Sequence, residues 1–476
     1  MMTIAESAIA LDWPQVRQSH RLWLVALGVV QVLAAVLALQ LGPLWAWMPV
    51  AILTAGAAFL FPRAGVFILA TAIYFRWDLP GFTGVYPADA LALVVLGGTL
   101  TARMAAGRQP IESTPLNKPI LMMLAVLALS LVNASFLSAG SVNWLRHAQL
   151  FGLCVAVTAS LEREDIARLL RGMLLFTAIL AAQNTVQFFL TSGTERVFGP
   201  LGAFFPLFLS LAIGQGTVLT LMAERRSTRV AWGLMTSMLF LAQIASQARA
   251  AWLQVALSLV VLMLFLWRWA GQHRFPEIRS RILALGLVSM AVVAILASGR
   301  IALFRQSATR IHQTMAGESL TANTRLFLWR MGWQAFKRSP LLGTGLGQVQ
   351  HWDETLPQWR FDTMALHARG LGAHNDSITY LSETGVLGLL AILWFFQRTV
   401  RMGYRALNRT RRPQDAAALL VLWVPVCGII LAFFFGAHTF YSISGMLTAL
   451  YIGMLARQCA SMAPGAISPS DDRAQR

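Results

Sequence analysis

The densest run of chemistry-capable side chains in this 476-residue chain is His367-Ala-Arg369-Gly-Leu-Gly-Ala-His374-Asn375-Asp376, which leads into an apolar stretch containing Glu383. A histidine backed by Asn and Asp can take a proton or hold a hydroxyl in place near neutral pH. The plainer alternative is that His374 caps the next helix or bonds within its own loop. His367, His374, Asp376 and Glu383 are also all metal-ligand types, but their spacing matches no metal motif. No metal and no cofactor are therefore expected, and arginine is expected to neutralise charge instead. Arg249 stands in the turn Ser246-Gln-Ala-Arg249-Ala-Ala-Trp252, and Arg325 in the first turn of a helix that ends at Ser339-Pro340. A guanidinium forks onto phosphate oxygens with two parallel hydrogen bonds. At a helix start the dipole disfavours a cation, so Arg325 calls for a negative partner. The glycine-rich Gly343-Thr-Gly345-Leu-Gly347 follows no strand signal and is no dinucleotide fingerprint; it reads as a flexible turn after Pro340.

The elements that must position these residues are membrane helices. Hydrophobic residues make up 57% of the chain and charged residues 12%, which excludes a soluble fold. Apolar stretches fall near 22–41, 44–61, 64–77, 87–102, 119–137, 144–160, 168–190, 200–222, 230–247, 250–267, 282–298, 377–397, 416–435 and 438–456. A span needs about 20 apolar residues. The short third stretch and the irregular second leave room for a re-entrant pair, so the expectation is an all-α polytopic protein with about 12–14 transmembrane helices. No cleavage site follows the first stretch, which is read as a retained span. Cys154, Cys427 and Cys459 lie in or at the ends of apolar runs, where neither a disulfide framework nor a zinc site is expected.

Arginine and lysine alternate between connections. They crowd 103–118, 163–171, 225–229, 268–281 and 398–412, which names that side as cytoplasmic and accounts for the net charge of +18 without nucleic acid. Both termini fall on that side. The opposite connections carry few basic residues, the exceptions being Arg76, Arg146, Arg196 and Arg249, whose plain explanation is interfacial anchoring. The expected organisation is 1–298 membrane helices, 299–376 a periplasmic helical loop, 377–457 further membrane helices and 458–476 a polar, disordered tail. The loop carries nine basic residues against five acidic ones, which suits a phosphate-bearing lipid. Within it, Ile301 to Met315 recurs at helical spacing, and a second helix from near Thr321 or Asn323 places Leu326, Trp329, Trp333 and Phe336 on one apolar stripe. Nearly charge-free span interiors and the absence of an internal repeat argue against a transporter. Topology brings Arg249, Arg325 and His374 to one face.

At these residues the chain resembles the family of O-antigen ligases, O-antigen polymerases and bacterial protein O-oligosaccharyltransferases. The resemblance rests on order: the Ser246–Trp252 turn, Arg325-x-x-x-Trp329, Pro340-Leu-Leu-Gly-Thr-Gly-Leu-Gly347, His374-Asn375, and Glu383-x-Gly385-x-x-Gly388. It implies a multi-span glycosyltransferase of the bacterial inner membrane with a periplasmic active site. The donor it implies is a glycan on undecaprenyl diphosphate; the ligase acceptor is lipid A–core oligosaccharide. His374, Arg249 and Arg325 match the family's essential residues. Arg196, Arg146, Arg369, Asn375 and Arg330 are expected to contact substrate. Many relatives carry a second histidine two before the essential one, where this chain has Gly372. The single two-helix loop favours a ligase; a polymerase and, more remotely, a protein O-oligosaccharyltransferase or a transporter of an anionic lipid-linked substrate stay open.

Overall fold

The computed structural model describes residues 43–74, 87–191, 202, 204–273, 275–297, 320–351, 372–436 and 442–462. Every regular element among them is helical. In chain order these are α1 (Pro43–Leu60), α2 (Pro62–Ala72), α3 (Pro87–Ala105), α4 (Asn117–Ser130), α5 (Leu137–Ser160), α6 (Arg163–Leu190) and α7 (Phe205–Met222). They continue with α8 (Arg226–Ala245), α9 (Arg249–Gln272), α10 (Pro276–Ala297), α11 (Leu320–Arg338), α12 (Asp376–Arg409), α13 (Pro413–Phe435) and α14 (Ser442–Ser461). The architecture is thus an all-α polytopic membrane protein. A helix stands at each expected apolar stretch from 44 onward; the stretch 22–41 and the first loop helix lie outside the described residues.

Among the described residues, six helices are long and apolar enough to cross a membrane: Pro87–Ala105, Arg163–Leu190, Phe205–Met222, Ala250–Gln272, Asp376–Arg409 and Pro413–Phe434. Others reach the length with less hydropathy, because polar residues face neighbouring helices. In α14, Ser444, Thr448 and Gln458 are all buried, the usual place for small and polar side chains between membrane helices. At 11 residues α2 rises only about 16 Å, roughly half of a hydrocarbon core. It folds against α1 and α3 through Gly65, whose absent side chain lets the Ala58 carbonyl approach. The last helix runs to Ser461, past the tail boundary expected at 457.

Side-chain bonds sort the connections into two ends. Arg63 pairs with Glu162 and Asp165, Arg163 with Asp415, and both Arg103 and Arg457 with Glu112. Arg281 donates to the carbonyls of Leu221 and Ala223, and the Trp269 indole to that of Thr410. These contacts gather the arginine-rich connections at one end. At the other end Asn133 donates to the Gly343 carbonyl, Gln348 and Phe136 exchange two bonds, and the Asp376 amide donates to the Gly436 carbonyl. The α8–α9 turn belongs to this second end, because α8 starts and α9 finishes at the first.

Candidate active site

The turn at 246–249 is built by its own side chains. Ser246 Oγ donates to the Gln243 carbonyl at 2.7 Å and accepts from the Ala248 amide, while the Trp252 indole donates to the same Gln243 carbonyl at 2.8 Å. Gln247 takes a left-handed conformation, φ +50°. The spacing of Ser246 and Trp252 therefore folds a tight reversal, and α9 opens at Arg249. The first amides of a helix lack partners within it and favour anions. The Arg249 side chain lies outside the described set.

His374 is the second non-glycine residue with positive φ, also +50°, among the described residues. It is flanked by fully buried Ala373 and by Asn375, which caps α12. Asn375 Oδ1 accepts from the Ile378 amide and the Ser377 hydroxyl, and its Nδ2 donates to the Phe434 carbonyl at 2.8 Å. The alternative in which His374 caps the helix is thereby corrected, since Asn375 does it. Expected as a substrate contact, Asn375 is 4% exposed and has its amide engaged by the scaffold. His374 is half-buried and is held below the ordinary histidine pKa, first by burial and second by the charge of Arg325. Arg325 of α11 thus acts on the imidazole through its charge.

The placement of α11 corrects the expected stripe. Phe327, Leu328, Met331 and Ala335 are buried, whereas Leu326 and Trp333 are about half exposed. The cause is Gly332, which meets Ile378 of α12 so closely that an added Cβ would stand 2.6 Å from Ile378 Cγ2. Helix contact through a glycine selects its own face over the bulkier aromatic one. Arg330 is exposed on α11 and Arg325 half-buried. Arg146 lies within α5, not in a connection, beside His147. His147 Nδ1 meets the Asn143 carbonyl, and its Nε2 bonds the Tyr380 hydroxyl at 2.7 Å, tying α5 to α12 one turn below Asp376. Arg76, Arg196, His367 and Arg369 lie outside the described residues.

The glycine-rich segment is buried and ordered by bonds, not a flexible turn. At Gly385 (φ +66°, ψ −166°) α12 breaks its helical path. Liberated backbone groups then bond the segment: Thr344 and Gly345 amides donate to Ser382 and Glu383 carbonyls, and the Val386 amide donates to that of Pro340. A Cβ on Gly385 would fall 2.3 Å from the Leu341 carbonyl carbon, and one on Gly343 would fall 2.2 Å from that of Glu383. The Glu383 carboxylate, 6% exposed, accepts the Val349 amide at 3.0 Å, with the Gly347 and Gln348 amides close by. This arrangement and the His147–Tyr380 bond were missed from sequence; an acidic residue inside an apolar run was the available signal.

The fold is that of a polytopic helical membrane protein, with His374 and Arg325 as a candidate site at one end of its bundle. Residues 233–393, about a third of the chain, match the family Wzy_C, described as O-antigen ligase. The match runs from α8 into α12 and contains Arg249, Arg325, His374 and Glu383. No curated protein matches the chain significantly.

Proposed function

We propose that this protein transfers O-antigen polysaccharide from undecaprenyl diphosphate to a sugar hydroxyl of lipid A–core oligosaccharide, at the periplasmic face of the inner membrane. The observation that carries the reading is the placement of His374, held at φ +50° directly before the Asn375 cap of α12, within the family-matched segment and at the same end as the α8–α9 turn. The neutral imidazole of His374 takes the proton of the acceptor hydroxyl, or aligns it. The oxygen attacks the anomeric carbon, and the bond to the diphosphate breaks with inversion. The leaving group is a stable anion that needs no protonation, so the barrier lies in its developing charge. Arg249 and Arg325 hold that charge in a partly dry site, where one such donor contributes about 10²–10³ in rate. The reaction is metal-independent, and Arg196, Arg146, Arg369 and Arg330 guide the anionic donor.

Deleting the gene and resolving the lipopolysaccharide on a gel tests the reading. Loss of the capped ladder with accumulation of lipid-linked polymer is the expected result. Core bearing a single repeat unit would indicate a polymerase instead. Arg249→Lys and Arg325→Lys keep the charge and lose the fork; near-normal transfer by both would remove the clamp from the mechanism. Full transfer in EDTA is expected, and rescue by Mg²⁺ or Mn²⁺ would overturn the metal-free chemistry.

A further inference from the structure

Glu383 lies nine residues beyond His374 and touches no part of the transfer chemistry proposed above. Its carboxylate nonetheless accepts the Val349 amide at 3.0 Å, and the two preceding amides, of Gly347 and Gln348, lie beside it. Successive amides that curl around one point make a concave acceptor site, and here the acceptor is the protein's own carboxyl group. The same segment is gripped from the backbone side at Ser382 and Glu383, with hydrogen bonds of 2.9 and 3.0 Å. Asn133 and Phe136 hold its outer face. This segment is the root of α11, the helix that carries Arg325.

We propose that Glu383 is a positioning residue: by gathering the amides of Gly347–Val349 it fastens the root of α11 onto kinked α12 and so fixes where Arg325 stands relative to His374. The proposal rests on the reading that these two residues act together in transfer. Leverage makes the fastening matter. The 13 residues from Arg325 to Arg338 span about 20 Å, so a swing of roughly 10° at the root displaces Arg325 by about 3 Å. A misplacement of about 1 Å can cost about 10²-fold in rate. A glutamine keeps one acceptor oxygen, but it loses the charge and its NH2 presents donors where the second carboxylate oxygen stood.

The test reads His374 directly in the full-length protein. Diethylpyrocarbonate modifies neutral imidazole, and mapping the peptide that contains His374 across pH gives its titration without any transfer assay. Among the described residues, the charge that acts on His374 is that of Arg325 on α11; Asp376 and Tyr380 follow on its own helix, with Arg146 and His147 on α5 beyond Tyr380 and the carbonyls of Phe434 and Gly436 at the end of α13. Among these the substitution moves Arg325. In Glu383→Gln the His374 midpoint is expected to move upward, towards the ordinary histidine value, with transfer reduced about 10²-fold. Adding Arg325→Gln should move the midpoint little further, since groups that act through one contact are not additive. Glu383→Asp keeps the charge but retracts it by one methylene, and should give a smaller shift in a protein that folds even if Glu383→Gln does not. An unmoved midpoint in folded Glu383→Gln or Glu383→Asp, or a full additional shift from Arg325→Gln, would overturn the proposal. Failure of the transfer reading appears elsewhere, as retained transfer in His374→Ala.

Discussion

At His374 the backbone, the burial and the neighbouring charge act in one direction. Left-handed φ turns the residue out of the helical path that starts two residues later, and such strained positions persist where surrounding bonds hold them. Burial and the Arg325 charge both disfavour the imidazolium, so the pKa is lowered. The sign follows directly: a base works while neutral, and a lowered pKa keeps it neutral to a lower pH. Transfer should therefore hold as pH falls through about 6.5, the ordinary histidine value, and decline only below it. Arg325→Gln removes one of the two causes, and the acid limb of its residual activity should move upward. A limb that stays in place, measured by transfer rate against pH with lipid-linked donor, would separate the two residues. His374→Ala should lower transfer by about 10²–10⁴ at neutral pH.

Between elements, single side chains join the helices that carry the site. Asn375 both caps α12 and donates to the end of α13. Asn375→Asp keeps the cap oxygen and loses the donor to Phe434; Asn375→Ala loses both. The expected order of thermal stability in detergent is native, then Asp, then Ala, with a loss of about 1 kcal/mol for the cap; an Asp variant below Ala would contradict it. Tyr380→Phe removes the hydroxyl that bonds the buried His147 Nε2 at 2.7 Å while the ring still packs on Phe433, and should cost about 1–3 kcal/mol. Helix positions were legible in the sequence because an apolar run long enough for a bilayer admits one element. So was the order of the turn, α11 and the His374-Asn375 pair. The face of α11 was not, because Leu326 and Trp333 make as good an apolar stripe as Phe327 and Met331 until Gly332 meets Ile378. Nor was the glycine-rich segment, whose conformation depends on a kink in a helix that begins more than 30 residues later. Periodicity carries no information about such long-range backbone bonds.

Across the whole molecule, the two ends differ in kind. One is laced by arginine–carboxylate pairs between connections, as at Arg63 with Asp165 and Arg103 with Glu112. The other is joined by backbone carbonyls and amides around the glycine-rich segment, with the histidine and arginines of the site. Excess Lys and Arg in short connections sets which end stays in the cytoplasm, and the exposed pair there, Arg63 with Glu162, adds little stability, about 0–1 kcal/mol. The charge at the first end therefore acts on orientation more than on folding. A diphosphate-linked donor presented at the outer leaflet requires the second end to face out. Lys337 and Arg409 are both exposed and stand at opposite ends, so cysteine at either position reports the orientation. Cys154 and Cys427 are buried and Cys459 is half-buried; replacing all three with serine clears the background. In spheroplasts a membrane-impermeant maleimide should label Lys337→Cys before lysis and Arg409→Cys only after it. The reverse pattern would put His374 and Arg325 on the cytoplasmic face, away from the proposed donor, and the transfer assigned to them would fall with it.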